Sequence, residues 1–253
     1  MMTNILELMS PTAANTPLEL SIISIFYNEE DLVRAFSQEI LNLDGLDHAE
    51  LILVDGSSDD KSLELLCSFW QQFFKRSRLQ RLSIISCPPS RGGQLHCGAL
   101  KAQAQRLCFL HIDSRLDKNC IQAAINALSP SCFSLHFYPS SPALELLAWG
   151  SRMRLRCRQI CFGDQGLCID KDSYVLLGGF DPKLKLMEDY EFSLQLKQAK
   201  IAIHQLELNI YSSARRFLNK KGKGSFFSVM RCFLHMQIAQ ARYRRRRKCK
   251  RKA

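Results

Sequence analysis

A chain of 253 residues with 46% hydrophobic and 23% charged side chains can enclose a sizeable core, which excludes a collagen-like or wholly disordered protein. The formal charge of +11 is concentrated: nine of the eleven positions from Arg242 to Lys252 are Lys or Arg, and without them the remainder carries about +2. The positive field belongs to a tail, so the body has no general affinity for polyanions and no specific nucleic-acid partner is expected. There are eleven cysteines but no Cys-x-x-Cys pair, and nothing near Cys157 and Cys161 completes a zinc site at finger spacing, so the thiols read as reduced, mostly buried side chains. No stretch approaches the ~20 apolar residues that span a bilayer, and the N-terminus lacks the basic and apolar regions of a secretory signal. The plain expectation is a cytoplasmic protein.

Residues 1–17 are polar and irregular and read as a loose leader. Leu20 to Tyr27 is an apolar, β-branched run suited to a buried strand. Asn28 with Asp31 three positions on resembles a capping box, followed by Leu32, Val33, Phe36 and Ile40 at helical spacing. Leu51 to Val54 makes a second strand that ends at Asp55-Gly56-Ser57-Ser58, and the next helix carries Leu63, Leu66, Trp70 and Phe73 or Phe74. A third strand, Leu82 to Ser86, leads through Pro88-Pro89 to a helix of small residues with Gly98, Ala99 and Ala102. A fourth, Leu107 to Ile112, ends at Asp113. Strands alternating with helices predict an α/β protein, with a mostly parallel central sheet covered by helices on both faces.

After Asp113 the rhythm changes. A helix near Lys118 to Leu128 and a strand near Phe133 to Tyr138 precede a long amphipathic segment, Leu144 to Ile160. Gly163-Asp164-Gln165-Gly166 opens a short strand, a helix leads to Gly178-Gly179-Phe180-Asp181, and Glu188-Asp189 begins another helix. A strand from Ile201 to Leu208 ends before Ser212 to Arg216. The chain thus divides into a leader (1–17), a main domain (18–217), an amphipathic helix (218–241) and a basic tail (242–253).

In open parallel sheets ligands bind at the carboxyl ends of the strands, where this chain places Asn28, Glu29, Asp55, Ser90, Arg91 and Asp113. Asp55, on a turn with Ser57, can accept hydrogen bonds from a nucleobase or ribose, although an Asp before a turn is also an ordinary helix cap. Asp113 suits a hard divalent cation, magnesium or manganese, whose shell is completed by substrate phosphates. His111, two residues earlier on an extended segment, points the same way and reads either as a second ligand, as a phosphate contact or as a core histidine. Glu188 or Asp189 can take a proton from an acceptor hydroxyl, although acidic residues at a helix start are also favoured by its dipole. Arg91, with the amides of Gly92 and Gly93 at the following helix start, forms one candidate phosphate site, and Arg215-Arg216 another.

Taken together, these segments resemble a family 2 glycosyltransferase of the GT-A type, with its Rossmann-like fold. The matching stretches are Ser21-Ile22-Ile23 through Asn28-Glu29, Val54 to Asp59, Leu110-His111-Ile112-Asp113, Gly163 to Gly166, Gly178-Gly179-Phe180 and Met187-Glu188-Asp189, in order over roughly residues 20 to 217. Within it, Gln94 to Ala99, Leu110 to Asp113, Gly163 to Gly166 and Ser213 to Arg216 are similar to stretches of small bacterial enzymes labelled arsenosugar-biosynthesis-like glycosyltransferases. The resemblance implies an inverting transfer of sugar from a UDP- or GDP-linked donor to a hydroxyl acceptor, with a divalent metal on the diphosphate. Asn28, Glu29, Asp55, Ser57, Arg91 and Gln94 would face the nucleotide and Asp113 with His111 the metal. Asp189 would be the base with Glu188 beside it, and Gly163, Asp164, Gln165, Arg215 and Arg216 would lie near sugar or acceptor. One departure stands out: the family commonly has Asp-x-Asp at the metal site, where this chain has His111-Ile112-Asp113.

Two other readings compete. Phe226, Phe227, Met230, Phe233 and Leu234 form an apolar stripe leading into the basic tail, as in an interfacial helix with a polybasic extension, so the chain also reads as a membrane-surface or nucleic-acid-binding adaptor on an inactive scaffold. The enzyme and membrane readings coexist if the acceptor is lipid-linked and the protein sits peripherally at the inner face of the membrane. A nucleotidyltransferase ranks lower, because its glycine-rich phosphate loop after the first strand is replaced here by Tyr27-Asn28-Glu29-Glu30.

Overall fold

A computed structural model describes residues 2–11, 16–184, 186–218 and 226–250, with some side chains of the last segment outside the description. The first half alternates strand and helix: Thr3–Met9 (β1), Leu20–Phe26 (β2), Val33–Leu41 (α1), Ala49–Asp55 (β3), Ser62–Phe73 (α2), Arg81–Ser86 (β4), Arg91–Lys101 (α3) and Arg106–His111 (β5). The second half holds Ser114–Leu116 (β6), Cys120–Asn126 (α4), Ser131–Tyr138 (β7), Pro142–Arg158 (α5), Leu167–Asp170 (β8), Lys171–Leu176 (α6), Glu188–Gln198 (α7), His204–Ser213 (β9) and Phe226–Lys250 (α8).

The nine strands of the described residues join one sheet in the order β1-β4-β3-β2-β5-β8-β7-β9-β6. The expected parallel order holds for β4-β3-β2-β5, where each helix carries the chain back to the starting edge. Beyond β5 the sheet is mixed: β8 runs antiparallel to both β5 and β7, β9 is parallel to β7, and β6 is antiparallel to β9. The parallel block therefore places the turns after β2, β3 and β5 and the start of α3 on one edge, and the second half wraps α7 and β9 towards it.

Residues 3–9, expected in a loose leader, instead form an edge strand antiparallel to β4, with Leu6 opposite Ile84 and Leu8 opposite Leu82. Leu6 and Leu8 pack on the core while Asn4 and Glu7 interrupt the apolar signal, and Glu7 pairs with Arg81 and Lys101. Met1, residues 12–15, Lys185, residues 219–225 and residues 251–253 lie outside the described residues, and so does part of the expected tail. Its remainder, Arg242 to Lys250, continues α8 without a break. The expected capping box at Asn28 is absent. Helix α1 starts at Val33, and Asn28 has a left-handed φ of 53°, its side chain bonded to the Asp59 carboxylate and the Asp59 amide.

The fully buried strands β2 and β3 separate two cores. Ile22, Phe26, Phe36, Leu66 and Trp70 meet on one face, and Ile23, Ile25, Leu95, Phe109 and Phe192 on the other. The nine described cysteines are free, and six of them are buried. Helix α3 lies close to the sheet because Gly98 has no side chain: a Cβ there would stand 2.5 Å from Ile23 Cγ2 and 3.2 Å from Val54 Cγ2. Both neighbours are β-branched and stiff. Gly98→Val is therefore expected to lower stability by about 2 kcal/mol or more despite its gain in helix propensity, measured by urea unfolding.

Candidate active site

The turn after β2 is tied to the turn after β3. The Asn28 amide donates to Ser58 Oγ at 3.0 Å and the Glu29 amide to Ser62 Oγ at 2.8 Å. Ser57 adopts a φ of 63°. Asp55, only 1% exposed, accepts from the amides of Ser57 (3.1 Å) and Ser58 (3.0 Å) and from Ser86 Oγ (3.1 Å). In this arrangement its carboxylate caps the turn at the end of β3. It sits directly opposite Phe26 of β2, which lines the cleft described next, but Asp55 itself does not line that cleft.

An open cleft of ≈ 630 Å³ lies over the ends of β2 and β5, and its polar wall is Glu29, Arg91, His111, Asp113, Arg215 and Arg216. Arg215 forms a two-pronged pair with Glu29, both bonds 2.6 Å, and its Nε stands 3.5 Å from Asp113 Oδ2. The other oxygen of Asp113, Oδ1, is buried and makes no hydrogen bond among the described residues. Burial raises the Asp113 carboxyl above the ordinary range, and Arg215 and Arg216 pull it back down. Tyr27, at the rim and half exposed, adds an aromatic face that sequence reading did not single out. Its only signal was an aromatic residue at the strand end beside Asn28.

Arg91 opens α3 and bridges two neighbours: Nε donates to Glu188 Oε1 at 2.7 Å, and Nη2 lies 2.8 Å from His111 Nε2. A guanidinium has no acceptor, so His111 Nε2 accepts and the proton of the neutral ring sits on Nδ1. Burial and then the neighbouring Arg91, Arg216 and Arg215 hold the His111 pKa well below the usual value, which fixes that neutral form. The expected phosphate cradle of Gly92 and Gly93 amides is not formed. The Gly92 amide donates to Leu184 O and the Gly93 amide to Ser90 Oγ, because the glycines let the 181–184 backbone lie against the helix start. Gln94 likewise turns inward, its Nε2 bonded to Phe26 O at 2.9 Å and Val54 O at 3.0 Å, although it reaches the cleft floor.

His111 is also a wall of a second, narrow and mostly apolar pocket, in which Gly163, Glu188 and Asp189 stand beside Leu95, Phe109 and Phe180. Asp189 is held by two amides, Gly163 N to Oδ2 at 2.8 Å and Tyr190 N to Oδ1 at 2.6 Å. The absence of a side chain at Gly163 permits this approach, since a Cβ there would fall 2.5 Å from His111 Nε2. Glu188 is 2% exposed; burial and the adjacent Asp189 raise its pKa, against Arg91. Asp113 and Asp189 thus line adjoining pockets divided by His111 and Arg91.

Gln165, expected at the sugar, is instead fully buried, its Oε1 accepting from Ser151 Oγ, Arg154 Nη2 and the Phe162 amide. It shapes the loop from within. Asp164 beside it keeps a buried Oδ1 without a hydrogen bond among the described residues. Burial pushes its carboxyl up to about 6, opposed by Arg154, with Asp189 and Asp113 adding to the rise. Arg154, stacked 4.0 Å over the Phe162 ring, is a site neighbour that sequence reading missed, because α5 carries several arginines with nothing to distinguish it.

The chemistry of this donor set fits one cation ligand. Asp113 Oδ1 offers a hard oxygen without a partner, which suits a divalent ion that takes few protein ligands and several phosphate oxygens. His111 does not fit as the second ligand in this arrangement, because Arg91 occupies the lone pair of Nε2. Among the described residues no group of three His, Cys, Asp or Glu side chains stands ready to hold a metal.

Comparison with known proteins bears on the fold. The family model for glycosyl transferase family 2 matches residues 21–133, which contain β2 to β5 and the Asp55 and Asp113 turns. The matched segment, just under half of the chain, is similar to a family 2 glycosyltransferase domain. Solved structures share its fold: TarS of S. aureus, with a TM-score of 0.62 and 16% identity over 77% of this chain, and the mannosyltransferase PcManGT of Pyrobaculum calidifontis in complex with GDP-Man and Mn2+, with a TM-score of 0.63 and 14% identity over 85%. A shorter TarS structure in complex with UDP-GlcNAc aligns with a TM-score of 0.59 and 17% identity over 85% of this chain. The chain spans 36% of the first TarS structure's length and 61% of PcManGT's. At these identities the likeness shows the GT-A fold. No curated protein matches the sequence.

The unfolded chain releases the Asp164 proton near 3.9, the folded one only near 6. Stability therefore falls as pH rises between those values, and above them the buried charge carries a constant cost of up to about 3 kcal/mol. Asp164→Asn is expected to raise Tm at about pH 7.5 and to leave it nearly unchanged at about pH 4, measured by calorimetry at both.

Proposed function

We propose that the protein is an inverting glycosyltransferase that moves a sugar from a UDP- or GDP-linked donor to a hydroxyl acceptor. The observation that carries this reading is one cleft lined by Arg91, Arg215 and Arg216 beside the unpartnered oxygen of Asp113, with Asp189 in the adjoining pocket. The arginines suit a diphosphate, whose charge grows as the bond to the sugar breaks. Bound at Asp113 together with the phosphates, manganese or magnesium would supply further positive charge to the departing diphosphate. Tyr27 offers a stacking face for the nucleobase beside Glu29 in the cleft, and the turns that carry Asn28 and Ser57 adjoin it through the Asn28 amide bond to Ser58.

Asp189 is the base in this reading. Two backbone amides orient its carboxylate, whereas Glu188 is committed to Arg91 and acts as a positioning residue. Asp189 takes the proton of the acceptor hydroxyl while that oxygen attacks the anomeric carbon from the face opposite the diphosphate, which inverts the centre. Three of the stretches shared with the arsenosugar-biosynthesis-like subgroup, Leu110 to Asp113, Gly163 to Gly166 and Ser213 to Arg216, fall at this site, and we place the chain in that subgroup. A lipid-linked acceptor and a peripheral position at the inner face of the membrane accord with the cationic α8.

Donor hydrolysis and transfer across a panel of UDP- and GDP-sugars, with and without manganese, test the reading. Asp189→Asn is expected to lower kcat by about 10²- to 10⁴-fold while donor binding by calorimetry stays within a few fold. Asp113→Asn is expected to raise the manganese concentration needed for half-maximal rate by at least tenfold. Turnover indifferent to both substitutions contradicts the mechanism.

A further inference from the structure

Helix α8 has two unlike faces. One is docked: Val229 and Gln240 are buried, Tyr243 OH donates to Glu191 Oε2 at 2.8 Å, Arg247 Nε donates to Glu191 Oε1 at 2.9 Å, and Arg244 Nε meets Tyr190 OH. Glu191 lies in the first turn of α7, two residues after Asp189. Arg244 and Arg247, which the sequence pattern assigns to a solvated basic tail, are thus tied to the helix that carries the candidate base.

The opposite face is open. Met230, Leu234 and Ile238 recur every fourth residue with exposures of 46%, 58% and 40%, so they form one stripe about half a turn away from the docked side. Arg242 continues that spacing, and Arg231 and Arg245 flank it, all three exposed. From Phe226 to Lys250 there is no acidic residue. The side chains of Phe226, Phe227 and Phe233, part of the stripe expected from sequence, lie outside the described residues.

An exposed apolar stripe whose charged neighbours along the described part of the helix are all cations narrows the occupant. A second copy applying the same face would bring arginines against arginines, which the contact would have to overcome at every turn. A nucleic acid would use the arginines but gives no reason for three exposed aliphatic side chains. A bilayer surface with acidic lipids uses both, taking the aliphatic groups at the boundary of headgroups and acyl chains and the guanidinium groups at the phosphates. No helix among the described residues is long and apolar enough to cross a membrane, so α8 would lie along the surface.

We propose that the outer face of α8, with Met230, Leu234, Ile238, Arg231, Arg242 and Arg245, is a docking surface for an anionic lipid bilayer. This gives the peripheral placement a defined surface and is independent of the transfer chemistry, because vesicle binding is read without donor. Since the docked face grips α7 through Glu191 and Tyr190, the membrane-bound helix and the candidate base belong to one packed unit.

The test is flotation of the full chain with vesicles of phosphatidylcholine alone and of phosphatidylcholine mixed with phosphatidylglycerol. Binding is expected only to the mixed vesicles and should weaken as salt is raised. The triple variant Met230→Ser, Leu234→Ser, Ile238→Ser is expected to bind at least about tenfold more weakly. Arg242→Gln with Arg245→Gln should lose about fivefold per arginine at low salt. Circular dichroism and donor binding, which these exposed positions should leave unchanged, report whether each variant is folded. Failure to float with anionic vesicles overturns the proposal, and so does equal binding by the folded triple variant. Two further results overturn it in favour of another occupant: a dimer in ultracentrifugation that the triple variant abolishes, or RNA binding that ignores the serines while vesicles fail to bind.

Discussion

The Arg91 guanidinium joins three segments far apart in the chain. It opens α3, pairs with Glu188 at the start of α7 and engages His111 at the end of β5. Glu188 is almost wholly buried, and a buried carboxylate without its partner is costly, so this contact holds the two halves of the protein in register around the site. It also determines what His111 can do. With its Nε2 lone pair directed at Arg91, the imidazole is neutral and lies between the two pockets, which leaves Asp113, with its unbonded Oδ1, as the candidate cation ligand among the described residues. The replacement of the first carboxylate of an Asp-x-Asp pattern is thus linked to a charge arrangement in which a histidine and an arginine occupy the space between the metal candidate and the base.

Charge follows a consistent division across this contact. On the cleft side Arg91, Arg215 and Arg216 gather around Asp113 and Glu29, an arrangement suited to a strongly anionic group. On the other side burial, with the neighbouring Asp189 adding to it, raises the pKa of both Glu188 and Asp164. An anionic group and a group that gives up a proton make opposite electrostatic demands, and the wall of His111 and Arg91 lets a cationic and an acidic environment exist side by side. Helix α8 extends this organisation outward, since its docked face meets α7 immediately beyond Asp189.

Much of the architecture is legible in the order of the residues. The β2 to β5 strands, the small-residue face of α3, the Glu188-Asp189 helix start and the candidate carboxylates all follow from local pattern, because a buried strand must be apolar and an acidic helix start is favoured by the backbone. Pairing outside the parallel block is not legible there. Residues 3–9 hide their alternation behind Asn4 and Glu7, and the antiparallel placement of β8 depends on where helices return the chain rather than on its own four residues. At the site, local pattern misleads in both directions. Gln94, Gln165 and the Gly92-Gly93 amides look available and are engaged inward, while Tyr27 looks ordinary and lines the cleft, and Arg154 stacks on Phe162 of the second pocket.

The sequence by itself determined the alternation of strand and helix, the sheet edge at which polar residues collect, the family resemblance and the separation of a nearly neutral body from a cationic end. Only the tertiary structure decided which of those polar groups remain open to a ligand. Hydrogen-bond capacity is finite, and a side chain already satisfied by a neighbour 97 residues away, as Glu188 is by Arg91, looks no different in sequence from Asp113, whose Oδ1 has no partner among the described residues.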